Sequence, residues 1–88
     1  MHDFVIVFSL EKKLKKLKSK DPLSFARVRT KIHEIISSDV SRYKNLRYSL
    51  KDCKRVHIGS YVLIFSYDAE ENLVTFYDYE HHDTVYEP

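Results

Sequence analysis

The spacing of apolar residues changes partway along this chain, and that change most restricts its fold. Up to about residue 38, one short β-branched run is followed by apolar residues at helical spacing. From Tyr43 the period changes, and Val56 and Ile58 then alternate with Arg55 and His57 as in a strand. The order predicts an α+β domain: an N-terminal strand, a two-helix hairpin, and a three-stranded antiparallel meander that completes a four-stranded sheet with both helices on one face.

The first half of the chain predicts one strand and two helices. The run Phe4–Phe8 is apolar and rich in β-branched residues, which is typical of a buried strand. Ser9 is placed to cap the first helix, and Asp21 followed by Pro22 predicts the start of the second, which ends near Ser38. The apolar residues at helical spacing are Leu10, Leu14 and Leu17, then Phe25, Val28, Ile32, Ile35 and Ile36.

The second half predicts a meander. Gly59-Ser60 has the composition of a two-residue hairpin turn, and a second turn follows near residues 68–72. A short extended tail is expected at residues 84–86. The predicted strands are Arg55–Ile58, Tyr61–Tyr67 and Leu73–Tyr79.

The hairpin turn also predicts which side chains share a face. With Gly59-Ser60 as the turn, His57 pairs with Val62 and Arg55 pairs with Ile64. Residues paired across an antiparallel ladder point to the same face. We therefore expect these four side chains on the open face, meaning the face of the sheet that points away from the helices.

Composition limits the class of protein. An apolar content of 43% with one Gly and two Pro predicts a single compact domain over residues 1–88. No apolar run reaches the roughly 18 residues of a membrane span, and the N-terminal residues do not resemble a secretory leader. Cys53 is the single cysteine, which fits a reducing compartment. We expect a cytoplasmic protein with no membrane association.

Positive charge is concentrated toward one part of the sequence. Residues 1–44 hold 11 Lys and Arg against 5 Asp and Glu, whereas residues 45–88 hold 4 against 8. Cations beside an imidazole and apolar surface suit RNA, because cations hold phosphate and apolar or aromatic surface holds an unstacked base. A solvated surface is the alternative, both here and for the lysine-rich face of the first helix. Residues 42–55 form a basic stretch, with the cations Arg42, Lys44, Arg47, Lys51, Lys54 and Arg55.

Two adjacent histidines, His81 and His82, follow the last predicted strand. Imidazoles titrate near neutral pH, so they can serve as acid and base when the 2′-OH of RNA attacks its own phosphate. An exposed turn without chemistry is one alternative. A metal site with Asp83 is another, but it is disfavoured because adjacent strand residues point to opposite faces.

Two segments of the chain resemble the RelE/ParE superfamily of toxin–antitoxin toxins. The segment LRYSLKDCKRVHIGSYVLIF, residues 46–65, is similar to the family's leucine, basic strand, Gly-x-Tyr turn and apolar strand. The ending His81-His82-Asp-Thr-Val-Tyr86 resembles the family's terminal His-Arg-x-x-Val-Tyr motif. The resemblance extends over essentially the whole chain.

The resemblance implies the toxin of a type II toxin–antitoxin system. It implies a ribosome-dependent mRNA endoribonuclease that inhibits translation without a metal or other cofactor. Its implied partners are the ribosome, mRNA and a cognate RelB-like antitoxin that wraps the toxin in a heterotetramer. By position, the implied catalytic residues are Arg55, His57, His82 and Tyr86, and the implied RNA-binding residues are Arg47, Lys51, Lys54 and His81.

Two departures from the family pattern leave the activity open. Val62 stands where the family commonly has arginine, and we expect no C-terminal helix of the kind that many members carry. A non-enzymatic ParE-like inhibitor of DNA gyrase is therefore one alternative. An inactive relative that acts in antitoxin binding and autoregulation is the other.

Overall fold

The elements follow the predicted order, with one addition at the end. The computed structural model describes residues 1–40, 43 and 53–86. Its sheet has the strand order β1-β4-β3-β2, with β1 parallel to β4 and the other neighbours antiparallel, which confirms the predicted α+β fold. The elements are β1 (Asp3–Ile6), α1 (Phe8–Lys20), α2 (Pro22–Ile36), β2 (Cys53–Ile58), β3 (Tyr61–Asp68), β4 (Leu73–His81) and α3 (His82–Tyr86).

A single residue joins α1 to α2. Asp21 ends α1 and caps α2, and its carboxylate accepts hydrogen bonds from the backbone N–H of Ser24 at 3.2 Å and from the Ser24 hydroxyl at 2.6 Å. These hydrogen bonds lower the pKa of Asp21. Pro22 occupies the first turn of α2, where its missing N–H costs nothing. The predicted start of the second helix is confirmed.

The core lies between the two helices and one face of the sheet. Leu10 and Leu14 of α1 and Ile35 of α2 are buried against Phe65 and Phe76 of the central strands. Leu17 and Phe25 pack at the margin of this core. The predicted apolar stripes of both helices are therefore the surfaces that cover the sheet.

The β2–β3 hairpin has the predicted register. Arg55 lies opposite Ile64 and His57 lies opposite Val62. Gly59 supports the tight turn because its φ of 63° is a left-handed conformation that glycine adopts without steric cost. A bulge between Ile64 and Phe65 interrupts the pairing of β3 with β4.

Three local predictions were wrong. The first strand spans Asp3–Ile6 and lies at the sheet edge with Phe4 and Val5 each 46% exposed, so it is not a buried strand. The cap of α1 is Val7, with no side-chain capping bond, and Ser9 lies inside the helix. The expected extended tail is the short helix α3, which begins directly after β4. No helix among the described residues is long and apolar enough to cross a membrane.

A lysine ties α1 to the edge of β4. The Lys13 ammonium donates to Asp78 Oδ1 at 2.8 Å, to Glu80 Oε1 at 2.5 Å and to the Tyr79 carbonyl at 3.2 Å. Burial alone would lower the pKa of Lys13, but the hydrogen bonds and charges of the two carboxylates outweigh it and raise the pKa. The contact is possible because β1 pairs with β4 only as far as Phe76.

Candidate functional site

Three of the predicted site residues meet at one end of the open face. The rings of His57 on β2 and His82 on α3 have centroids 5.3 Å apart and are tilted by 34°. Arg55 shares the face with His57, because the two are separated by one residue on the same strand. The arrangement places two imidazoles and a guanidinium around one patch of the sheet.

His57 is biased toward its neutral form. Desolvation lowers the pKa of His57, and the positive charges of Arg55 and His82 lower it further. A neutral imidazole can accept a proton near pH 7, so His57 has the electrostatics of a general base. Its side chain is exposed, which leaves the ring accessible to a substrate.

Asp83 lies beside His81 and His82. Its Oδ1 is 3.6 Å from Nδ1 of His82, and its Oδ2 is 3.8 Å from Nδ1 of His81. The backbone N–H of Asp83 also donates to His81 Nδ1 at 3.2 Å. These contacts lie at the point where β4 ends and α3 begins.

Val62 is on the open face by register but is fully buried. Its cross-strand neighbours are His57 on one side and Glu80 on the other. The short helix α3 packs against β3 and β4 and brings His82 beside His57. The position where the family commonly has arginine is therefore fully buried in this chain.

The two adjacent histidines contact different rings, His81 as the last residue of β4 and His82 as the first residue of α3. His81 lies opposite Tyr61 in the ladder and contacts it edge-on, with ring centroids 5.4 Å apart at 77°. Tyr61 in turn stacks on Tyr79 at 4.7 Å and 12°. Burial raises the pKa of Tyr79, and Tyr61 adds to this effect. His81 is therefore separate from the site of His57 and His82.

Among the other predicted site residues, Lys54 does not join the histidine pair. Lys54 alternates with Arg55 along β2 and so points to the opposite face, where its ammonium donates to the Tyr43 carbonyl at 3.2 Å. Arg47 and Lys51 lie outside the described residues. Tyr86 is the last residue of α3, and its role stays a prediction.

Two carboxylates near the site were not predicted from the sequence. Asp78 and Glu80 lie opposite Ile64 and Val62, so they share the open face with Arg55 and His57. Their alternation along the third strand could have indicated this face. Lys13 neutralises them from α1, which reduces their repulsion of an anionic ligand. Among the described residues, no group of three His, Cys, Asp or Glu side chains is arranged to hold a metal ion.

Known proteins with similar sequences and folds identify the family. No family model matches the chain. A Methanocaldococcus jannaschii protein named "Putative toxin RelE4" is 41% identical over 87 residues, covering 98% of this chain and 92% of the relative. The chain belongs to the RelE toxin family, the toxins of type II toxin–antitoxin systems.

Solved structures of RelE proteins share the fold. The RelBE2 toxin–antitoxin complex of Mycobacterium tuberculosis matches with a TM-score of 0.76 and 23% identity, over 91% of this chain and 90% of that one. The intact E. coli RelBE toxin–antitoxin complex matches with a TM-score of 0.73 and 20% identity, over 92% and 96%. These similarities concern the fold alone.

Proposed function

We propose that this protein is a ribosome-dependent, cytoplasmic mRNA endoribonuclease that works without a metal. The observation that carries the proposal is the contact between the His57 and His82 rings, 5.3 Å apart beside Arg55. Cleavage of RNA by its own 2′-OH needs a base, an acid and a cation near one phosphate. The open face offers one residue for each of these roles.

The role of the base is assigned from the charges around the His57 ring. His57, with its lowered pKa, takes the proton of the 2′-OH, whose oxygen then bonds to the adjacent phosphorus. His82 gives a proton to the 5′ oxygen as the phosphorus–oxygen bond breaks. Arg55 stabilises the negative charge of the phosphorane. The products are a 2′,3′-cyclic phosphate and a 5′-hydroxyl, and Tyr86 is assigned to substrate positioning.

Mapping mRNA ends on translating ribosomes tests this function. New ends should appear with the wild-type protein, and the Arg55→Ala variant should form them about 10²–10³-fold more slowly. His57→Gln and His82→Gln should each reduce the rate as well, because each removes one proton-transfer group. Arg29→Ala, which removes an exposed cation from α2, is the matched control. Inhibition of DNA gyrase supercoiling without new mRNA ends would assign the protein to the ParE-like alternative.

We further propose that a RelB-like antitoxin docks between the two helices. A groove of about 270 Å³ has Leu14, Phe25 and Val28 in its lining, and the charged residues beside them are mostly basic: Lys15, Lys18 and Arg29 against Glu11. It lies next to a larger groove of about 680 Å³ that runs along β1 and α2 past the partly exposed Phe4. An apolar groove with basic margins suits an amphipathic helix with acidic flanks.

The solved relatives support a partner of this kind. The two structures compared above are complexes of RelE with RelB, and they share this fold at 20% and 23% identity. The proposed groove lies on the helical side of the molecule, away from His57 and His82. Antitoxin bound there alone would leave the open face uncovered, so a second antitoxin segment is needed to block the proposed site.

A further inference from the structure

A second aromatic cluster lies at the hairpin end of the sheet, on the face opposite the histidine pair. Tyr61 stacks on Tyr79 at 4.7 Å, and His81 contacts the Tyr61 ring edge-on. Tyr79 is buried, with 6% of its surface exposed, whereas Tyr61 is 41% exposed. The inner tyrosine therefore supports an outer ring that reaches solvent. A ring held in this way binds a planar ligand with little loss of side-chain freedom.

A cation lies next to this cluster. The Arg27 Nη1 atom is 3.9 Å from the position that a Cβ on Gly59 would occupy, which places the guanidinium over the β2–β3 turn. The Arg27 side chain is exposed. Lys31, one turn further along α2, is paired with Glu34 at 2.7 Å and is a weaker candidate.

A groove connects Arg27 with His57. Its volume is about 520 Å³, and both residues line it, with Ile58 and Gly59 between them. β2 is an edge strand, so the groove passes around its free side. A flexible strand bound at His57 on the open face can follow the groove to Arg27, which lies over the turn that leads into Tyr61.

We propose that Arg27 and Tyr61 form a second subsite, which holds an unpaired ribonucleotide adjacent to the cleaved phosphodiester. The base stacks on Tyr61, and a phosphate binds the Arg27 guanidinium. Stacking on an aromatic ring tolerates any base, and arginine matches phosphate with two parallel donors. The subsite positions the RNA and takes no part in bond breaking. This inference rests on the proposed endoribonuclease function.

Binding of a non-cleavable RNA tests the subsite separately from catalysis. The probe is a single-stranded RNA 12-mer with 2′-O-methyl sugars, followed by fluorescence anisotropy at several salt concentrations. Tyr61→Leu should weaken binding about 5- to 150-fold, whereas Tyr61→Phe should keep the wild-type affinity because it keeps the ring. Arg27→Ala should weaken binding about tenfold or more and reduce the salt slope by about 0.7.

Arg29→Ala is the matched control for Arg27→Ala. Both arginines are exposed on α2, but two helical positions put them on opposite sides, and Arg29 points toward β1. Arg29→Ala should bind the 12-mer as the wild type does. Equal losses in the two variants would indicate a net-charge effect and overturn the subsite. Circular dichroism of Tyr61→Leu checks its fold, and the surface variant Arg27→Ala tests the subsite independently.

The outcomes separate this inference from the proposed function. RNA affinity that depends on Arg27 and Tyr61, without mRNA cleavage on ribosomes, would support the subsite and contradict the nuclease. Cleavage that depends on Arg55, together with RNA affinity that is unchanged in the Arg27 and Tyr61 variants, would support the nuclease and contradict the subsite. No binding of the 12-mer by the wild type, or loss of antitoxin affinity alone in Arg27→Ala, would overturn the subsite.

The same ribonucleotide chemistry occurs in mRNA and in ribosomal RNA. Leu23 is 79% exposed and lines the groove, so Leu23→Cys can carry a thiol-linked photo-crosslinker. Cross-links to mRNA in the decoding site would support the subsite as stated. Cross-links to ribosomal RNA alone would show that the groove binds ribosomal RNA. They would overturn the proposal that the subsite lies next to the cleaved bond of mRNA.

Discussion

The His57 and His82 rings lie in contact, with centroids 5.3 Å apart, although one belongs to the edge strand β2 and the other to the terminal helix α3. The contact brings together the basic strand that contains His57 and the C-terminal segment that contains His82. It also makes the position of α3 part of the site, because the His82 ring moves with that helix. Protonation of either ring changes the charge at the contact between α3 and the sheet.

Protonation of His57 should make folding stability depend on pH. Its pKa is lowered in the folded protein by desolvation and then by Arg55 and His82. The folded state therefore favours the neutral ring, so stability is retained above the unfolded pKa of about 6.5 and is lost as the pH falls through the lower folded pKa. Urea unfolding at pH 7.5, 6.5 and 5.5 should show a smaller loss for His57→Gln than for the wild type.

His33→Gln is the control for this pH dependence. His33 is exposed on α2, away from the histidine pair. It should follow the wild type across the three pH values. Equal pH slopes in the wild type and His57→Gln would contradict the assignment of a lowered pKa to His57.

Replacing Val62 with the arginine that the family commonly has should lower the stability of this protein. The Val62 side chain is fully buried on the open face, between His57 and Glu80. A guanidinium there would lose its hydration, and the neighbouring Glu80 carboxylate is already bound by Lys13, so we expect a cost of roughly 3–5 kcal/mol. Urea unfolding should show Val62→Arg to be destabilised by about that amount, with no gain in mRNA cleavage. Thr75→Arg, at a partly exposed position on the same sheet, should change stability little. A stable and more active Val62→Arg would contradict this prediction.

The sequence predicted the parts of this site that depend on local pairing. The Gly59-Ser60 turn fixed the register of β2 and β3, so the shared face of Arg55 and His57 followed directly. These relationships need only the turn and a period of two residues. The prediction that alternation separates the two adjacent histidines was wrong, because His82 lies in α3 and not on the strand.

The parts that sequence could not predict depend on distant segments. The five residues of α3 are too few to show helical periodicity, and residues 84–86 among them were predicted to be extended. The full burial of Val62 depends on tertiary packing, which strand alternation does not predict. The stacking of Tyr61 on Tyr79 is a diagonal contact between strands whose pairing includes a bulge, and no local pattern records it.

Removing the Lys13 ammonium should loosen α1 from the sheet. Lys13 binds both Asp78 and Glu80, and all three side chains are partly exposed, so solvent screens the pairs. Lys13→Met should lower the free energy of unfolding by about 1 kcal/mol at low salt, and less in 1 M NaCl. Lys16→Met, an exposed position on the same helix, should have no such salt-dependent effect. A salt-independent loss would indicate a packing change instead of an electrostatic one.

Reversing the charges beside the helical groove should slow antitoxin binding. Lys15 and Lys18 lie at the margin of the groove between α1 and α2, where an acidic helix would approach. The double variant Lys15→Glu/Lys18→Glu should lower the association rate about tenfold or more at 50 mM salt, with a smaller difference at 300 mM, because marginal charges act mainly on encounter. Surface plasmon resonance with the cognate antitoxin measures both rates.

The matched control carries the same charge change on the same helix. Lys16→Glu/Lys20→Glu alters two exposed lysines that do not line the groove. Because net charge is identical in the two double variants, any difference between their association rates reports the location of the charges. Equal slowing in both would show that the antitoxin is attracted by overall charge, and the proposed groove would lose its support.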